Sequence, residues 1–350
     1  MKPGQFSMNE DKVGVFIRAD ANPNIGMGHI IRCLSIADSF SAKGHMVTFV
    51  LADDKMDDFV KQHGYKTVIL HSVYTRMDEE LWPEMDTEII IVDSYYVTAS
   101  YLWNLRKKAG LLVYMDDMNA FSYPVDVVVN YNAYGPYLDY ESAYIGTDRP
   151  LFILGPAYAP LRRMFRGIEK KIQRKVAEDV LISTGGSDPE HISLKFIMTG
   201  PTGFRYHILL GNMNQDREEI ERWAQGNPGI VLHENVTDMK NLISRMDIAV
   251  SAAGSTLYEI CACGVPLITF SFADNQIPGA KAFEKLGLAI CVGDMREEAD
   301  PSRRILSAVE KLGNDYERRT NIGIRMQELV DGLGADRLVN KIVTAAQMRD

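Results

Sequence analysis

The sequence has few cysteines and no apolar run long enough to cross a bilayer. The cysteines lie within apolar patterns without Cys-x-x-Cys spacing, which excludes a small disulfide scaffold and predicts buried, reduced thiols; they are Cys33, Cys261, Cys263 and Cys291. The first residues, MKPGQFSMNEDK, lack the apolar core of a signal peptide. Apolar runs such as EIIIVD are strand-sized and fall well short of the roughly 20 residues that span a membrane. We therefore expect a cytoplasmic protein with no membrane partner.

The charge and composition are those of an ordinary globular protein. The chain has 38 basic and 47 acidic residues, a net charge of −9, and no block rich in Lys and Arg. Nucleic acid is therefore not an expected partner. The 350 residues are 46% apolar and 24% charged, which is enough to bury sizeable cores. At roughly 150 residues per domain, the length predicts about two domains.

Short β-branched runs alternate with helix-length amphipathic stretches along the whole chain. Strand-sized runs that are apolar on both faces, separated by helices, predict parallel sheets covered on both sides. Two sets of strands indicate two α/β domains. The predicted helices include 29–42, 99–108, 215–225 and 276–286. The predicted strands are 13–20, 45–52, 66–70, 88–95, 111–117 and 125–132, then 180–186, 204–211, 229–235, 247–254, 266–272 and 289–293.

The composition changes between about 155 and 175, where GPAYAPLRRMF gives way to RGIEKKIQRK. We interpret the charged stretch as a solvated linker or a helix. An N-terminal domain over 1–165 and a C-terminal domain over 166–335 are predicted on this basis. The last 50 residues are typical of consecutive helices, and 336–350 is assigned to a C-terminal helix that could pack back on the first domain.

The segment IRADANPNIGMGHIIRCLSIA (17–37) carries the first candidate site. A strand ends at Asp20, and a loop leads into a helix that begins near His29. Gly26 and Gly28 permit close ligand approach, and the first N–H groups of the helix suit a phosphate. The segment is not the dinucleotide fingerprint, because His follows the second Gly and the third Gly is absent. Spacing alone leaves two alternatives, an ordinary strand-to-helix turn and a functional loop in which His29 acts as a base.

The segment LISTGGSDP (181–189) carries the second candidate site. A strand runs into Gly185 and Gly186, and Ser187 and Asp188 follow. One alternative is a turn in which Ser187 or Asp188 caps a helix. The other is a ligand that approaches the main chain at two successive glycines.

The segment SAAGSTLYEICACGVPLITFSFADNQ (251–276) carries the third. A strand enters the Gly-Ser-Thr turn at 254–256, which offers N–H groups and two hydroxyls to a diphosphate. Glu259 lies one turn into the next helix, where its carboxylate could accept hydrogen bonds from two ribose hydroxyls. The structural alternatives are a carboxylate favoured by the helix dipole and helix capping by Asn275 and Gln276. Their occurrence together at successive strand ends favours binding.

Acidic residues end two further predicted strands. Asp93 and Tyr95 lie in IVDSYY, and Asp116 and Asp117 lie in YMDD. Both pairs fall on the edge where open α/β sheets bind ligands. Paired acids suit a metal ion, but one pair is not a metal-binding motif, and no metal site is expected.

Together these segments resemble the UDP-2,4-diacetamido-2,4,6-trideoxy-β-L-altropyranose hydrolases of bacterial pseudaminic acid biosynthesis. These enzymes group with spore-coat polysaccharide proteins and are related to MurG-type glycosyltransferases. The resemblance covers roughly 13–345 and rests on RADAN…IGMGHIIRCLSIA, VDSYY, YMDD, GPAYAPLRR, TGGSDP and AAGSTLYE…GVPLITFSFADNQ. It implies a GT-B fold, in which two Rossmann-like parallel-sheet domains face each other across a cleft. Departures are Ala253 where a second Gly is frequent, Tyr258 where Trp is common and Thr184 where Phe is usual.

The resemblance also implies roles for single residues. His29 matches the catalytic histidine of the family, and Tyr95 matches the tyrosine after the strand-end Asp. The diphosphate would lie at the third segment's glycine turn and the ribose at Glu259. The other residues that the resemblance implies in substrate binding are Gly28, Arg32, Gly254, Ser255, Thr256, Asn275 and Gln276. Apart from the resemblance, Arg18, Asp20, Gly186 and Ser187 are also expected to bind substrate.

The implied reaction is hydrolysis of a UDP-linked 2,4-diacetamido-2,4,6-trideoxy hexose. Water attacks the anomeric carbon, His29 is the general base and UDP leaves. No cofactor is expected, and the UDP-sugar is the expected ligand. Two alternatives stay open: a GT-B glycosyltransferase that uses a UDP-sugar donor, and a non-catalytic nucleotide-sugar binding protein. The resemblance fixes neither the stereochemistry of the sugar nor the oligomeric state.

Overall fold

The structure is a computed structural model that describes residues 13–22, 25–83, 87–211 and 213–349. The polar stretch MKPGQFSMNEDK at the start of the chain lies outside these ranges. Within them the chain forms two parallel β-sheets flanked by helices, one sheet of seven strands and one of six. This confirms the α/β fold class predicted from the alternation of strand-sized and helix-sized segments.

The N-terminal sheet contains all six strands predicted for the first half of the chain and one more. The additional strand, the seventh, lies between Pro150 and Gly155 and is held at the sheet edge by pairing with the sixth. The strands are β1 Gly14–Ala19, β2 Met46–Leu51, β3 Lys66–Ile69, β4 Thr87–Asp93, β5 Ala109–Met115, β6 Val127–Asn130 and β7 Leu151–Leu154. Their order is β3-β2-β1-β4-β5-β6-β7.

The C-terminal sheet contains the six strands predicted for the second half of the chain. They are β8 Asp179–Ser183, β9 Arg205–Leu209, β10 Ile230–His233, β11 Ile248–Ala252, β12 Leu267–Ser271 and β13 Ala289–Asp294. Their order is β10-β9-β8-β11-β12-β13. Strands β8, β11 and β12 are buried along their whole length, as expected for a parallel sheet covered on both faces.

Helices cover the sheets and close the chain. The four helices predicted by range agree with observed helices to within two residues. Three consecutive helices occupy the last 50 residues, as the sequence predicts. The helices are α1 Gly28–Ser41, α2 Asp57–Gln62, α3 Ala99–Arg106, α4 Tyr140–Ala143, α5 Ile192–Met198, α6 Arg217–Gln225, α7 Met239–Ser244, α8 Thr256–Ala262, α9 Ile277–Lys285, α10 Pro301–Gly313, α11 Tyr316–Leu329 and α12 Gly334–Gln347.

Two segments connect the sheets. The charged stretch 166–175 is a non-helical connection, and Gln173 anchors it by donating to the carbonyl oxygen of Gly264. Helix α12 returns to the N-terminal sheet and packs on α1, where Ser39 Oγ lies 2.5 Å from Asp336 Oδ1. The boundaries 1–165, 166–335 and 336–350 stay a prediction.

Strand order reverses once in each sheet, between β1 and β4 in the first and between β8 and β11 in the second. Loops that leave such neighbouring strands diverge to opposite faces of the sheet, and the crevice between them is where open α/β sheets bind ligands. The three glycine segments predicted from the sequence follow β1, β8 and β11, so that all of them lie at a reversal point.

Apolar side chains fill the interior of both domains. The four cysteines are free thiols, Cys291 half-buried and the other three buried. None of the helices in the described part of the chain combines the length and apolar character needed to cross a lipid bilayer.

Candidate functional site

A histidine and a carboxylate meet at the reversal point of the N-terminal sheet. His29 lies in the first turn of α1, which follows β1, and Asp93 is the last residue of the neighbouring β4. His29 Nδ1 lies 2.6 Å from Asp93 Oδ1, and both residues are buried. An ionised Asp93 accepts a hydrogen bond from the Nδ1–H group of the ring, which leaves the ring lone pair on Nε2. That atom is then the basic one.

Arg32 keeps Asp93 ionised. One turn after His29, its Nε lies 2.6 Å from Asp93 Oδ2 and its Nη2 lies 2.5 Å from Oδ1. Burial alone would raise the pKa of the Asp93 carboxyl, but Arg32 and then His29 outweigh burial and hold that pKa well below its usual range. The carboxylate therefore orients the imidazole as an acceptor and does not act as an acid.

Tyr95 and a second carboxylate complete this cluster. The Tyr95 ring meets the His29 ring edge-on, with 4.7 Å between ring centroids. The Tyr95 hydroxyl donates to Asp117 Oδ2 at 2.8 Å, and Asn132 Nδ2 donates to Asp117 Oδ1 at 2.7 Å. Burial first and Asp117 second raise the pKa of Tyr95, so the hydroxyl stays protonated. Arg32 Nη1 approaches Asp117 Oδ2 at 3.3 Å and lies between the two carboxylates.

The C-terminal domain reaches the same cluster through Asn275. This residue follows β12, and its side chain lies near the Tyr95 hydroxyl, whose pKa it acts to lower. Asn275 is itself exposed. The structure thus brings together three residues predicted from separate segments, His29, Tyr95 and Asn275.

Glycine turns occupy the reversal point of the C-terminal sheet. Gly254 and Ser255 follow β11 and are exposed, while Thr256 begins α8. A Cβ placed on Gly254 would meet no atom within 4 Å, so the main chain of this turn is open to a ligand. Gly185 and Gly186 follow the neighbouring β8 and are also exposed, and Gly185 has a φ of +88° that favours glycine.

The helix-capping alternative for the second segment is present in the structure at Asp188. Its carboxylate accepts the main-chain N–H groups of Ile192 and Ser193, each at 2.9 Å. Ser187 is half-buried and precedes this cap. Capping by Asp188 leaves the ligand role of Gly186 and Ser187 a prediction.

Glu259 is buried and faces Arg162, a residue of the GPAYAPLRR segment. Arg162 Nε and Nη2 donate to Glu259 Oε1 at 3.0 and 2.8 Å. Burial raises the pKa of Glu259, and Arg162 opposes that rise. Both hydrogen bonds end on Oε1, so Oε2 is the oxygen to consider for a ribose hydroxyl.

A small cavity of about 20 Å³ lies where the two domains meet. Its lining comes from both domains and includes Ser255 and Glu259 but neither Gly28 nor His29. This cavity is far smaller than the several hundred Å³ of a typical small-molecule site. The lining residues are Ile31, Arg32, Tyr131, Ala159, Pro160, Leu161, Arg162, Ser255, Tyr258 and Glu259.

Arg18 and Asp20 lie apart from the His29 cluster. The Arg18 guanidinium is fully buried and pairs with Asp20 Oδ2 and Glu80 Oε1, each at 2.5 Å. Asp20 Oδ1 also accepts the N–H group of Ala52. These contacts hold the loops after β1, β2 and β3 together. Substrate binding by Arg18 and Asp20 stays a prediction that no contact supports.

Two further predicted residues differ in what surrounds them. Gln276 Oε1 accepts the N–H group of Phe272 at 3.0 Å, a contact that closes the turn after β12. Gly28 opens α1, and a Cβ there would meet no atom within 4 Å. The turn contact gives Gln276 a structural role, whereas Gly28 leaves space beside His29.

The two acidic residues after β5, Asp116 and Asp117, have different partners. Asp116 is buried and accepts the hydroxyls of Tyr123 and Tyr140 together with two loop N–H groups. Asp117 instead faces Arg32. Across the described ranges, no group of three or more His, Cys, Asp or Glu side chains is arranged to hold a metal ion.

Comparisons with known proteins concern the family and the fold of the chain. Residues 159–322 match the glycosyltransferase family 28 C-terminal domain. The chain is 24% identical over 337 residues to the spore coat polysaccharide biosynthesis protein SpsG of Bacillus subtilis, covering 93% of this chain and 96% of that protein. It is 25% identical over 243 residues to the UDP-2,4-diacetamido-2,4,6-trideoxy-beta-L-altropyranose hydrolase of Campylobacter jejuni, covering 68% and 85%. The predicted resemblance to this hydrolase and spore-coat group is confirmed.

Two further relatives are longer than this chain. A Helicobacter pylori protein named pseudaminic acid cytidylyltransferase and UDP-2,4-diacetamido-2,4,6-trideoxy-beta-L-altropyranose hydrolase is 25% identical, with 81% of this chain and 49% of that protein covered. An uncharacterized protein of Methanocaldococcus jannaschii is 24% identical, with 73% and 54% covered. The chain thus spans about half the length of these two relatives.

Solved structures establish the GT-B fold. Acinetobacter baumannii MurG superposes with a TM-score of 0.64 at 14% identity and covers 95% of this chain and 99% of its own. The calicheamicin glycosyltransferase CalG4 superposes with a TM-score of 0.63 at 15% identity, covering 96% and 99%. At these identities the likeness concerns the fold alone.

Sequence reasoning gave Asp93 and Asp117 only secondary places and missed Arg162, Asn132 and Tyr258. Asp93 could have been identified from its position at the end of β4. In the usual strand order of a doubly wound sheet, this strand is a neighbour of β1. Arg162 and Tyr258 act across the domain boundary. No periodic pattern marks such contacts.

Proposed function

We propose that this protein hydrolyses a UDP-sugar. The observation that carries the proposal is the buried His29–Asp93 pair, which lies at the sheet reversal point beside Tyr95 and Asn275. An imidazole whose Nδ1 is held by a carboxylate and whose Nε2 is basic suits general-base catalysis.

In the proposed reaction His29 Nε2 takes a proton from water while the water oxygen attacks the anomeric carbon. The bond from that carbon to the UDP oxygen breaks, and its electron pair leaves with UDP. Asp93 stabilises the imidazolium that forms, and the proton then passes to solvent. Main-chain N–H groups of the turn at 254–256 would stabilise charge on the diphosphate, with Glu259 at the ribose.

The names of the Campylobacter jejuni and Helicobacter pylori relatives support a UDP-linked 2,4-diacetamido-2,4,6-trideoxy hexose as the substrate. We place the reaction in nonulosonic (pseudaminic) acid biosynthesis on the same ground. UDP is a good leaving group, and the turn N–H groups stabilise its charge. We therefore propose that turnover needs no metal ion, and we expect the rate to be unchanged by EDTA.

A glycosyltransferase is the second candidate, favoured by the match to the family 28 C-terminal domain and by the GT-B neighbours. An acceptor hydroxyl would then replace water at the same base. The two reactions differ in whether UDP is released without an acceptor.

The test follows UDP and free sugar by NMR after UDP-linked diacetamido sugars are added without any acceptor. Hydrolysis predicts equal release of both, and His29→Asn should reduce it roughly 10²–10⁴-fold. His63→Asn, at an exposed histidine of the same domain, should retain the wild-type rate. Release that occurs only with an acceptor would establish the transferase. Full activity in a folded His29→Asn protein would refute the base.

A further inference from the structure

Tyr258 extends from the C-terminal domain into the N-terminal domain. It lies in α8, next to Glu259 and half a turn after the Gly-Ser-Thr turn, and it is 3% exposed. Its hydroxyl accepts the N–H group of Ala133 at 3.0 Å and lies 3.4 Å from Asn132 Oδ1, to which it donates. Ala133 and Asn132 belong to the loop after β6. One side chain thus joins the proposed nucleotide helix to the other domain.

Two contact routes lead from Tyr258 to the His29 cluster. In the first, the Tyr258 ring packs edge-on against Tyr131, with 5.3 Å between ring centroids, and the Tyr131 hydroxyl accepts from Arg32 Nη1 at 3.1 Å. In the second, Asn132 donates to Asp117 at 2.7 Å. Arg32 and Asp117 are the groups that hold Asp93 and Tyr95 around His29.

We propose that Tyr258 is a positioning residue for the hydrolysis described above, on which this inference rests. Tyr258 makes the geometry of the His29 cluster depend on where α8 sits. When the domains separate, its hydroxyl leaves Asn132 and Ala133, and its ring leaves Tyr131. Arg32 and Asp117 then lose the support of both routes. The base is therefore fully oriented only when the two domains meet.

Tyr258→Phe tests this role because it keeps the ring and removes the hydroxyl. The substitution leaves the N–H group of Ala133 without its partner and releases Asn132, while the turn at 254–256 is unchanged. We expect kcat to fall about 5- to 30-fold, the range that losing one or two buried hydrogen bonds gives, and the Kd for UDP to stay within about twofold. Adding Asn132→Ala to Tyr258→Phe should lower kcat little further, because both act through one route.

The matched control is Tyr206→Phe. Tyr206 is a fully buried tyrosine of β9 whose hydroxyl donates to Thr202 O at 3.3 Å within the C-terminal domain. It should change the melting temperature and not kcat. If Tyr258→Phe behaves like this control, with kcat intact in an active wild-type background, the inference is wrong.

A second readout does not depend on turnover. We expect the proton between His29 Nδ1 and Asp93 to give a downfield proton resonance in NMR. Tyr258→Phe, but not Tyr206→Phe, should shift or broaden this resonance in the UDP complex. If the wild-type protein releases no UDP from any UDP-linked diacetamido sugar, the proposed function is wrong. An unshifted resonance would refute the role of Tyr258.

Discussion

His29 Nδ1 lies 2.6 Å from Asp93 Oδ1, although 64 residues separate the two in the chain. The proximity comes from the sheet, because β1 and β4 are neighbours and Asp93 pairs in register with Ala19. Helix α1 then carries His29 across the end of β4. The pair is therefore a product of strand order, and its chemistry can be tested at the carboxylate as well as at the ring.

Replacing Asp93 by Asn should impair the proposed chemistry without removing the imidazole. An amide at this position no longer stabilises the imidazolium and can donate to Nδ1, which favours the wrong tautomer. We expect kcat per folded molecule to fall roughly 10²–10⁴-fold, measured by UDP release.

The control is Asp179→Asn, which removes another buried, ion-paired carboxylate far from the cluster, in the C-terminal sheet. It should lower stability and leave kcat unchanged. Equal kcat values for the two variants would show that Asp93 only stabilises the fold.

Glu259→Gln should weaken UDP binding by about 1–3 kcal/mol, the scale of charge-assisted hydrogen bonds. The change keeps the shape of a buried side chain whose Oε1 already accepts from Arg162. Titration calorimetry with UDP measures the loss. Glu178→Gln, at an exposed position, is the control and should bind UDP like wild type. Unchanged UDP affinity in a folded Glu259→Gln protein would show that Glu259 does not bind the ribose.

Gly254→Ala should separate folding from binding. A Cβ at this position meets open space and the φ angle is ordinary, so the melting temperature should not change. A diphosphate seated on the turn would clash with the new methyl group, and UDP affinity should drop by at least about tenfold, or 1.4 kcal/mol.

Gly226→Ala serves as the control, because its Cβ would have only an ordinary contact, at 3.9 Å from Trp223 O, on another face of the domain. It should bind UDP normally. Wild-type affinity in Gly254→Ala would mean that the diphosphate does not approach this main chain.

Acid should remove the stabilisation that Asp93 provides. The folded-state pKa of Asp93 is held below the unfolded value of about 3.9. The contribution is therefore fully present above that value and is lost as pH falls toward the folded-state pKa. Urea unfolding of wild type and Asp93→Asn should show a large difference in the free energy of unfolding near pH 6 and a smaller one near pH 3. A difference that stays constant with pH would contradict the ionised state of Asp93.

The local parts of the site could be predicted from the sequence because each consists of consecutive residues. The Gly-x-Gly-His segment, the Gly-Gly pair and the Gly-Ser-Thr turn each follow a buried strand, and the structure puts each at a sheet reversal point. Strand β7 escaped prediction because only its pairing with β6 makes it a strand. Asp93 was placed on the correct edge, but its partner depended on the adjacency of β1 and β4.

The contacts between domains could not be predicted in this way. Arg162 meets Glu259 and Tyr258 meets Asn132 only because surfaces that are distant in the sequence pack together. Sequence reasoning noted Tyr258 solely as a departure from a common Trp. A hydroxyl at that position has partners that a sequence pattern does not encode.

The two chain passages between the domains lie directly against each other. A side chain at Gly332, just before α12, would overlap the carbonyl oxygen of Phe165, and one at Gly334 would overlap that of Ala159. Arg166 and Asp336 form an ion pair across the same place, at 2.8 Å. The two passages are therefore fixed to each other at this place. A rotation of one domain against the other about this place would displace the nearby residues little and the most distant residues most. A bulky residue at Gly332 would change the angle at which the two domains meet and, through Tyr258, the geometry of the distant His29 cluster.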